Sequence, residues 1–296
     1  MFGPLLVKVS NVYRKLPLKP FRSLARLSYR KYINKHSLDV VRVQRDGIDF
    51  ELHLNEVIEH HIYYNGVFEK KTHEALLELS KPGMTIFDVG ANIGVHTFYM
   101  ARNILPGGHV YAFEPATYAF KKLSINTELN PTLPVTLVNA GLSNENIDRL
   151  KTEVACSWPV NSNFDRRDDQ AMASSLVMDD EITLVKMDDY VEKNNINKID
   201  LIKLDIDGNE PKFIEGAKAT ISRDKPILVF ELADYVLRHY GSSAEELLDH
   251  ILGLGYKVYD EDFVELSKGV LKQFENEKEN YSINLIAVHE DSNFRF

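Results

Sequence analysis

The chain has 296 residues, of which 44% are hydrophobic and 27% charged, which is enough for one large core and argues against intrinsic disorder. The net charge is −9, but the first 36 residues carry +9, so the other 260 residues carry −18, and this acidic body disfavours binding to nucleic acid. The single cysteine, Cys156, excludes an intramolecular disulfide and fits a reducing cytoplasmic setting.

Residues 1–36 predict a basic helical arm. Leu5, Val9, Val12 and Leu16 are spaced three or four apart, as on one face of a helix, and the arm contains no acid. Its apolar run is too short to span a membrane, and its basic residues follow that run, unlike those of a signal peptide. Two roles stay open: docking on the acidic body, within one chain or across a homodimer, or lying on an anionic membrane surface. The expected location is cytoplasmic, peripheral at the inner face of the membrane if the second role holds.

Residues 37–80 predict an N-terminal hairpin and helix. Two segments of alternating polarity flank Asp46 and Gly47, a pair typical of two-residue hairpin turns. Apolar residues at helical spacing then run from Thr72 to Leu79. We expect this region to precede the main domain.

Residues 81–296 predict an α/β domain with a doubly wound, mostly parallel seven-stranded sheet. Short apolar runs alternate with helical segments, as in a sheet that helices cover on both faces. The predicted strands are 85–89, 110–113, 135–138, 201–204, 227–230, 255–258 and 284–288. The clearest predicted helices are 96–102, 116–129 and one that a capping-box pattern begins at Ser242 and Ser243.

The segment 144–182 interrupts this alternation of strands and helices. It is polar and contains the only tryptophan of the chain. Because long loops in compact domains are usually functional or disordered, we expect an excursion that lies over the active site.

The strongest functional motif is D-V-G-A-N-I-G at 88–94, where the first strand of the predicted sheet passes into a helix. Glycines at such a turn let the backbone approach a ligand, and the helix N-terminus supplies free N–H groups. Asn92 replaces the second glycine of the dinucleotide fingerprint, so the motif is not that of NAD-binding enzymes. Asp88, Gly90, Asn92 and Gly94 are therefore candidate cofactor-binding residues.

A second candidate is Glu114, which ends the second strand of the predicted sheet and leads directly into Pro115. A carboxylate at this position can accept hydrogen bonds from both ribose hydroxyls of an adenosine group. The alternative is a solvated acid at the end of a strand.

Five short motifs, in a consistent order, resemble those of FkbM-type methyltransferases. They are G-V-F-E at 66–69, D-V-G-A-N-I-G at 88–94, A-F-E-P at 112–115, M-D-D-Y at 187–190 and K-L-D-I-D-G-N-E at 203–210. The likeness covers about residues 62–232. One departure is Asp207, where the family commonly has Glu, and the shorter side chain puts the reach of that carboxylate in doubt.

The resemblance implies a class I methyltransferase fold, S-adenosylmethionine as the cofactor, and O-methylation of a sugar or glycan hydroxyl, which can be lipid-linked. It also extends the cofactor-binding set to Glu69, Pro115, Ala140 and Asp205. Two alternatives stay open: a methyltransferase of a small natural product, and a non-catalytic module that kept the cofactor pocket.

O-methylation needs a base or a metal ion that takes the proton of an alcohol. Because ligands bind at the carboxyl ends of such strands, the acids there are candidates: Asp205 first, then Glu231 and Glu210. His96, close to the glycine motif, is a fourth candidate. Glu210 can instead stabilise the start of the helix at Pro211, and His96 can be a packed helix residue.

A metal mechanism is the alternative to a protein base. Asp205 and Glu231 are expected to end adjacent strands, where catechol-type O-methyltransferases place metal-binding acids. Their carboxylates could hold Mg²⁺ through oxygen ligands. We favour the base over the metal.

Overall fold

The computed structural model describes residues 40–157, 176–267, 282–292 and 294. The chain divides into two units, Met1–Glu69 with Ala155–Val177 and Lys70–Val154 with Met178–Phe296. The predicted basic arm lies outside the described residues, and the domain boundaries proposed after residues 36 and 80 stay predictions. Within the described ranges, no helix has the length and apolar character needed to cross a membrane.

The first unit contains the predicted hairpin. Its elements are β1 (Val40–Arg45), β2 (Ile48–His53) and α1 (Val57–Asn65). The two strands pair antiparallel, with Arg45 opposite Ile48. Asp46 and Gly47 form the turn with φ of 45° and 80°, the left-handed geometry of a type I′ turn, so the hairpin prediction is confirmed. Helix α1 was not predicted.

The seven-stranded sheet is the framework of the second unit. The strands that follow the hairpin are β3 (Thr85–Val89), β4 (His109–Phe113), β5 (Val135–Val138), β6 (Gly141–Ser143), β7 (Ile147–Ser157), β8 (Leu176–Lys186), β9 (Leu201–Leu204), β10 (Ile227–Leu232), β11 (Tyr256–Tyr259) and β12 (Ile283–His289). Seven of them pair in the order β11-β12-β10-β9-β3-β4-β5, and only β12 is antiparallel to its neighbours. Numbered within the sheet this order is 3-2-1-4-5-7-6, which confirms the predicted class I methyltransferase fold.

Helices cover both faces of this sheet. They are α2 (Lys70–Leu79), α3 (Thr97–Asn103), α4 (Thr117–Leu129), α5 (Met187–Lys193), α6 (Glu210–Gly216), α7 (Lys218–Asp224), α8 (Asp234–His239) and α9 (Ala244–Gly253). Residues of α2 and α3 form one apolar cluster with the sheet, and residues of α5 to α9 form the other. In β3 the side chain of Ile86 joins the first cluster, and those of Phe87 and Val89 join the second. The alternation of a strand therefore supplies both cores.

Near the carboxyl ends of the strands, the face that α2 and α3 cover changes from apolar to polar. By strand alternation Asp88, Lys203, Glu231 and Asn284 all lie on this face, since their neighbours two residues away belong to the α2–α3 cluster. Asp88 pairs in register with Lys203, and Glu231 pairs with Asn284. The sequence of each strand thus places a row of polar side chains at one edge of an apolar sheet.

The described parts of the segment 144–182 are largely β-strand, which corrects the expectation of a loop for these parts. Strands β7 and β8 occupy 147–157 and 176–186, and with β6 they form a separate three-stranded sheet in the order β6-β8-β7. Among the side chains of these strands that the structure describes, most are half-buried and only Ile182 is buried, so the strands lack a continuous apolar run and their polar composition hid them. Whether the segment lies over the active site stays a prediction.

Most long elements agree with the sequence. Ser243 begins α9, as its capping pattern predicts, and its side chain accepts a hydrogen bond from the N–H of Glu246. Strand β10 runs two residues further than predicted, so Glu231 lies inside the strand. Helices α5, α7 and α8 have six or seven residues, fewer than two full turns, which is too short to show a clear helical period.

Candidate functional site

The carboxyl ends of β10, β9, β3 and β4 lie side by side at one edge of the sheet. Gly90, Glu114, Asp205 and Glu231 stand at or next to these ends. The strand order reverses between β3 and β9, which is where open α/β sheets bind their ligands. This edge is the candidate site.

The turn between β3 and α3, residues 90–96, is called the glycine loop below. Gly90 has a φ of 81°, and a Cβ atom there would lie 1.9 Å from the carbonyl oxygen of Asp205. The sequence indicated that this glycine leaves room for a ligand. The structure adds that the backbone of Asp205, directly after β9, already fills the space, so even a methyl group would displace the segment that leaves this strand.

Further contacts fix the rest of the glycine loop. Gly94 has a φ of 92°, and a Cβ atom there would lie 2.3 Å from Cε2 of Phe98. Asn92 is also left-handed, with a φ of 50°. Buried Asn126 donates to the carbonyl of Ile93 at 3.1 Å. Contacts with α3, α4 and the residue after β9 thus hold the loop in this conformation.

Glu114 is bound to the glycine loop through its carboxylate. The N–H of Asn92 donates to Oε2 at 2.8 Å, and the N–H of Ala116 donates to Oε1 at 2.9 Å. Its side chain is buried. Burial raises the pKa of Glu114 to about 7, although both N–H bonds and the charge of Lys203 act in the opposite direction.

Pro115 and Ala140, which the family resemblance assigned to cofactor binding, lie next to each other in the fold. Asn139 Nδ2 donates to the carbonyls of Glu114 and Pro115 at 2.9 and 3.2 Å. Ala140 follows Asn139 and is buried. The end of β5 is thereby tied to the end of β4, next to Glu114.

Asp88 and Lys203 form the buried centre of the edge. Asp88 is 1% exposed, and its Oδ2 accepts from the hydroxyl of Thr97 at 2.5 Å. Its Oδ1 lies 3.7 Å from the ammonium of Lys203, and no group in the described ranges donates a hydrogen bond to it. The Lys203 ammonium also donates to the carbonyl of Gly90 at 2.9 Å and lies 3.1 Å from Asp205 Oδ2.

Lys203 was quoted in a motif but not predicted as a site residue. A signal was present, since it is the one charged residue in the strand Leu-Ile-Lys-Leu, which is buried throughout. A charge inside such a strand needs a partner.

Four carboxyl groups gather after β9 and in β10: Asp205, Asp207, Glu210 and Glu231. Burial raises the pKa of both Asp207 and Glu210 to about 7, and the negative charge of Asp205 adds to the effect. Burial, together with the charges of Asp205 and Asp207, raises the pKa of Glu231 well above its usual range. The structure therefore brings the three strand-end acids predicted as bases into one electrostatic cluster.

Glu210 accepts hydrogen bonds from the backbone of the turn that precedes it. Its Oε1 accepts from the N–H groups of Ile206 and Gly208 at 3.1 and 3.4 Å, which closes the turn between β9 and α6. Within that turn Asp207 has a φ of 51°. Asp tolerates left-handed backbone better than most residues, which gives a physical reason for Asp at this position.

Glu231 faces polar side chains from distant parts of the chain. It pairs in register with Asn284, so the two side chains project from the same face of the sheet. Asn284 Nδ2 donates to the hydroxyl of Thr72 at 2.9 Å, and that hydroxyl donates to Glu261 Oε1 at 2.5 Å. Sequence reasoning missed Thr72, Glu261 and Asn284, because no local motif contains them.

His96 is the N-terminal cap residue of α3, which begins one residue later than predicted. Its ring is buried, with its centroid 6.1 Å from that of His73, and His73 packs edge-on against Tyr99 at 4.6 Å. This packing agrees with the interpretation of His96 as a packed helix residue.

The geometry does not test two of the predicted roles, that of Glu69 in cofactor binding and that of Asp205 with Glu231 in metal binding. Glu69 belongs to the first unit, so its role in cofactor binding stays a prediction. Across the described ranges, no group of three or more His, Cys, Asp or Glu side chains is arranged to hold a metal ion. The proposed Mg²⁺ pair, Asp205 with Glu231, also stays a prediction.

Two open cavities of about 450 and 470 Å³ lie at the opposite, amino-terminal edge of the sheet. Two of their carboxylates already bind backbone N–H groups: Asp188 those of Ala219 and Thr220, and Asp200 that of Thr85. We therefore place the site by the chemistry of the carboxyl edge rather than by cavity size.

Comparison with known proteins gives a family match. The family model of the methyltransferase FkbM domain matches residues 88–258, more than half of the chain. Methyltransferase 1 of Beauveria bassiana is 28% identical over 144 residues, which cover 44% of this chain and 57% of that protein. Hexuronic acid methyltransferase AglP of Haloferax volcanii is 27% identical over 141 residues, which cover 48% of this chain and 53% of that protein. The matches thus span little more than half the length of these relatives.

Solved structures are also similar. Methyltransferase FkbM from Methylobacillus flagellatus is 17% identical with a TM-score of 0.43, and the match covers 73% of this chain and 50% of that one. An O-methyltransferase from Bacillus cereus is 14% identical with a TM-score of 0.46, and the match covers 76% and 82% of the two chains.

Proposed function

Since this chain belongs to the FkbM methyltransferase family, we propose that it is an S-adenosylmethionine-dependent O-methyltransferase that acts on a hydroxyl of a sugar or glycan. The observation that carries the proposal is the meeting of two groups of residues at one edge of the sheet. One group is the glycine loop with Glu114, and the other is the carboxyl cluster around Glu231.

The residues of the first group fit a nucleoside donor. Each oxygen of Glu114 accepts one backbone N–H, and each keeps a second lone pair that a ribose hydroxyl can use. Asp88 Oδ1, buried and without a hydrogen-bond donor in the described ranges, offers a further acceptor. We assign donor binding to these two acids, with the glycine loop, Pro115 and Ala140 beside them. The bound donor supplies an electrophilic methyl group on a sulfonium.

Glu231 is our candidate for the base. A general base works best when its pKa lies near the working pH, and burial beside like charges moves the pKa of Glu231 in that direction. The sequence ranked Asp205 first, but Lys203 engages one oxygen of Asp205 at 3.1 Å, and Glu210 closes a turn with Oε1. Asp205 is the second candidate, and its side chain is 36% exposed at the edge.

Polar side chains beside Glu231 support a polyhydroxylated acceptor. Asn284 and Thr72 offer amide and hydroxyl groups of the kind that bind sugar hydroxyls. The similarity to a hexuronic acid methyltransferase points in the same direction. Methylation of a small natural product is the alternative for the same site.

The test is methyl transfer from S-adenosylmethionine with a labelled methyl group. Neutral hexoses, hexuronic acids and phenolic compounds would be offered in parallel, with Glu231→Gln as the control. We expect label on a sugar hydroxyl with the wild type, and transfer slower by about 10²–10⁴ with the variant. Label on phenols alone would move the assignment to natural products. Binding of S-adenosylhomocysteine without transfer to any compound would favour a non-catalytic module.

The basic arm gives a further proposal, which lies outside the described residues. We propose that residues 1–36 dock on the acidic body, within the chain or across a homodimer, or bring a cytoplasmic enzyme to a membrane that carries a lipid-linked acceptor. Flotation with anionic vesicles would compare the full chain with a protein that begins at Ser37. Equal flotation of the two would contradict the membrane role.

A further inference from the structure

The buried lysine of β9 has no assigned role in this site. Lys203 has a side chain 7% exposed, although an ammonium ion is costly to remove from water. Both of its neighbours in the strand, Ile202 and Leu204, are buried apolar residues. A charge in such a position must be balanced by the groups around it.

The contacts of Lys203 connect both sides of the site. Its ammonium donates to the carbonyl of Gly90, which belongs to the glycine loop, at 2.9 Å. It lies 3.1 Å from Asp205 Oδ2, at the end of β9, and 3.7 Å from Asp88 Oδ1, in β3. Since Asp88 and Lys203 pair in register, the backbone of the sheet fixes the Asp88 carboxylate beside the ammonium.

We propose that Lys203 is a positioning residue of the methyl-transfer site, which holds the glycine loop through the Gly90 carbonyl and balances the charges of Asp88 and Asp205. The proposal rests on the proposed function, which assigns the glycine loop and Asp88 to the binding of S-adenosylmethionine. Two consequences follow. Loss of the ammonium releases the loop that binds the donor, and it leaves two acids without their cation.

The second consequence separates this role from a structural one. S-adenosylmethionine carries a sulfonium cation, and S-adenosylhomocysteine, the product, is a neutral thioether. The positive charge of Lys203 therefore acts on one ligand and not on the other. A lysine that only stabilises the fold would change the affinities for both ligands by the same factor.

Calorimetric titration with both ligands is the experiment, on the wild type, Lys203→Met and Lys203→Gln. For Lys203→Met we expect affinity for S-adenosylhomocysteine to fall about tenfold or more, because a charge-assisted hydrogen bond is lost. We expect a smaller loss of affinity for S-adenosylmethionine. The ratio of the affinity for S-adenosylmethionine to that for S-adenosylhomocysteine should therefore rise roughly severalfold. Lys203→Gln keeps a donor for the Gly90 carbonyl, so it should show the same shift in ratio with less overall loss.

Asp205→Asn is the matched variant of opposite sign, at a half-exposed position. It removes a negative charge, so the ratio should shift towards the neutral ligand, and it keeps the test decisive if Lys203→Met does not fold. A ratio unchanged in all folded variants would overturn the role of Lys203 and leave the proposed function standing. Absence of binding of either ligand to the wild type would contradict the proposed function and the role of Lys203 with it.

Discussion

The two sides of the candidate site are built in different ways. On the side proposed to bind S-adenosylmethionine, called the donor side below, the glycine loop and Glu114 lie within a short stretch of chain. Backbone N–H groups hold this acid in place. On the side proposed to bind the methyl acceptor, called the acceptor side below, Asn284 donates a hydrogen bond to Thr72, and Thr72 donates one to Glu261. These pairs are 212 and 189 residues apart in the sequence. The donor side is thus determined locally by the backbone, and the acceptor side by side chains that only the complete sheet brings together.

This difference predicts different responses to substitution. A change in the glycine loop disturbs the packing of the neighbouring segment, since Gly90 lies against the backbone of Asp205, directly after β9. A change among the acceptor-side acids leaves the backbone in place and alters charge and proton transfer. Substitutions on the two sides should therefore separate stability and donor binding from catalysis.

The largest effect is expected for Gly90→Ala. The added Cβ would lie 1.9 Å from the Asp205 carbonyl oxygen, on a residue with a φ of 81°. We expect a loss of roughly 4 kcal/mol or more in the free energy of unfolding, together with loss of S-adenosylhomocysteine binding. Chemical denaturation and calorimetric titration measure the two.

Gly253→Ala is the control for this substitution. Gly253 lies at the end of α9, and a Cβ atom there would meet nothing within 4 Å. The change should be neutral or stabilise the protein by up to about 1 kcal/mol, because alanine favours a helix. Wild-type stability and donor affinity in Gly90→Ala would show that the loop is not fixed as described.

On the acceptor side, Glu231→Gln should lower the rate of methyl transfer by about 10²–10⁴. Glutamine cannot accept the proton, and its similar size preserves the packing. Affinity for S-adenosylhomocysteine should not change, which steady-state kinetics and titration together would establish.

The wild-type rate should fall as the pH is lowered through the raised pKa of Glu231, because the base must be ionised. An unchanged rate in Glu231→Gln would exclude it as the base, and Asp205→Asn would be tested next.

The donor side should show its own pH dependence. Burial raises the pKa of Glu114 to about 7, and we expect the ionised carboxylate to bind the ribose hydroxyls. A proton must then leave before binding, so affinity for S-adenosylhomocysteine should fall about tenfold for each pH unit below 7. Titrations between about pH 5 and 8 test this, and Glu114→Gln should bind weakly at every pH. Affinity of the wild type that does not vary with pH would contradict this role.

The smallest effect is expected for Asn284→Ala. The substitution removes the hydrogen bond to Thr72 beside Glu231, so KM for the acceptor should rise about three- to tenfold. Affinity for S-adenosylhomocysteine should stay the same. Asn194→Ala is the control, since Asn194 follows α5 and donates to the carbonyl of Tyr190. Equal KM values for the two variants would remove Asn284 from the acceptor side.

The sequence predicted where the residues of the proposed donor side lie in the fold, and their role in donor binding stays a proposal. Glycines at 90 and 94 and the acid at 114 belong to strand ends with strong apolar patterns, so the edge on which they meet follows from the parallel sheet. Both glycines have the positive φ that such a turn requires. Pro115 and Ala140 came from the family resemblance, and Asn139, which precedes Ala140, donates a hydrogen bond to the carbonyl of Pro115.

The acceptor side could not be predicted in the same way. Thr72 is a helix residue and Asn284 a strand residue, and neither has a periodic or motif signal that refers to the other. Strands β7 and β8 were missed because half-buried, largely polar strands lack the apolar run by which fully buried strands are recognised. Lys203 could have been found, since a lone charge in a buried strand requires a partner.

The central claim, that the edge formed by β3 and β4 holds the donor, is tested most directly by titrating S-adenosylhomocysteine into the wild type and Glu114→Ala. We predict one molecule bound per chain, with affinity lowered in the variant by about 1–3 kcal/mol, the contribution of charged hydrogen bonds. No binding to the wild type, or equal affinity in the two proteins, would contradict the claim.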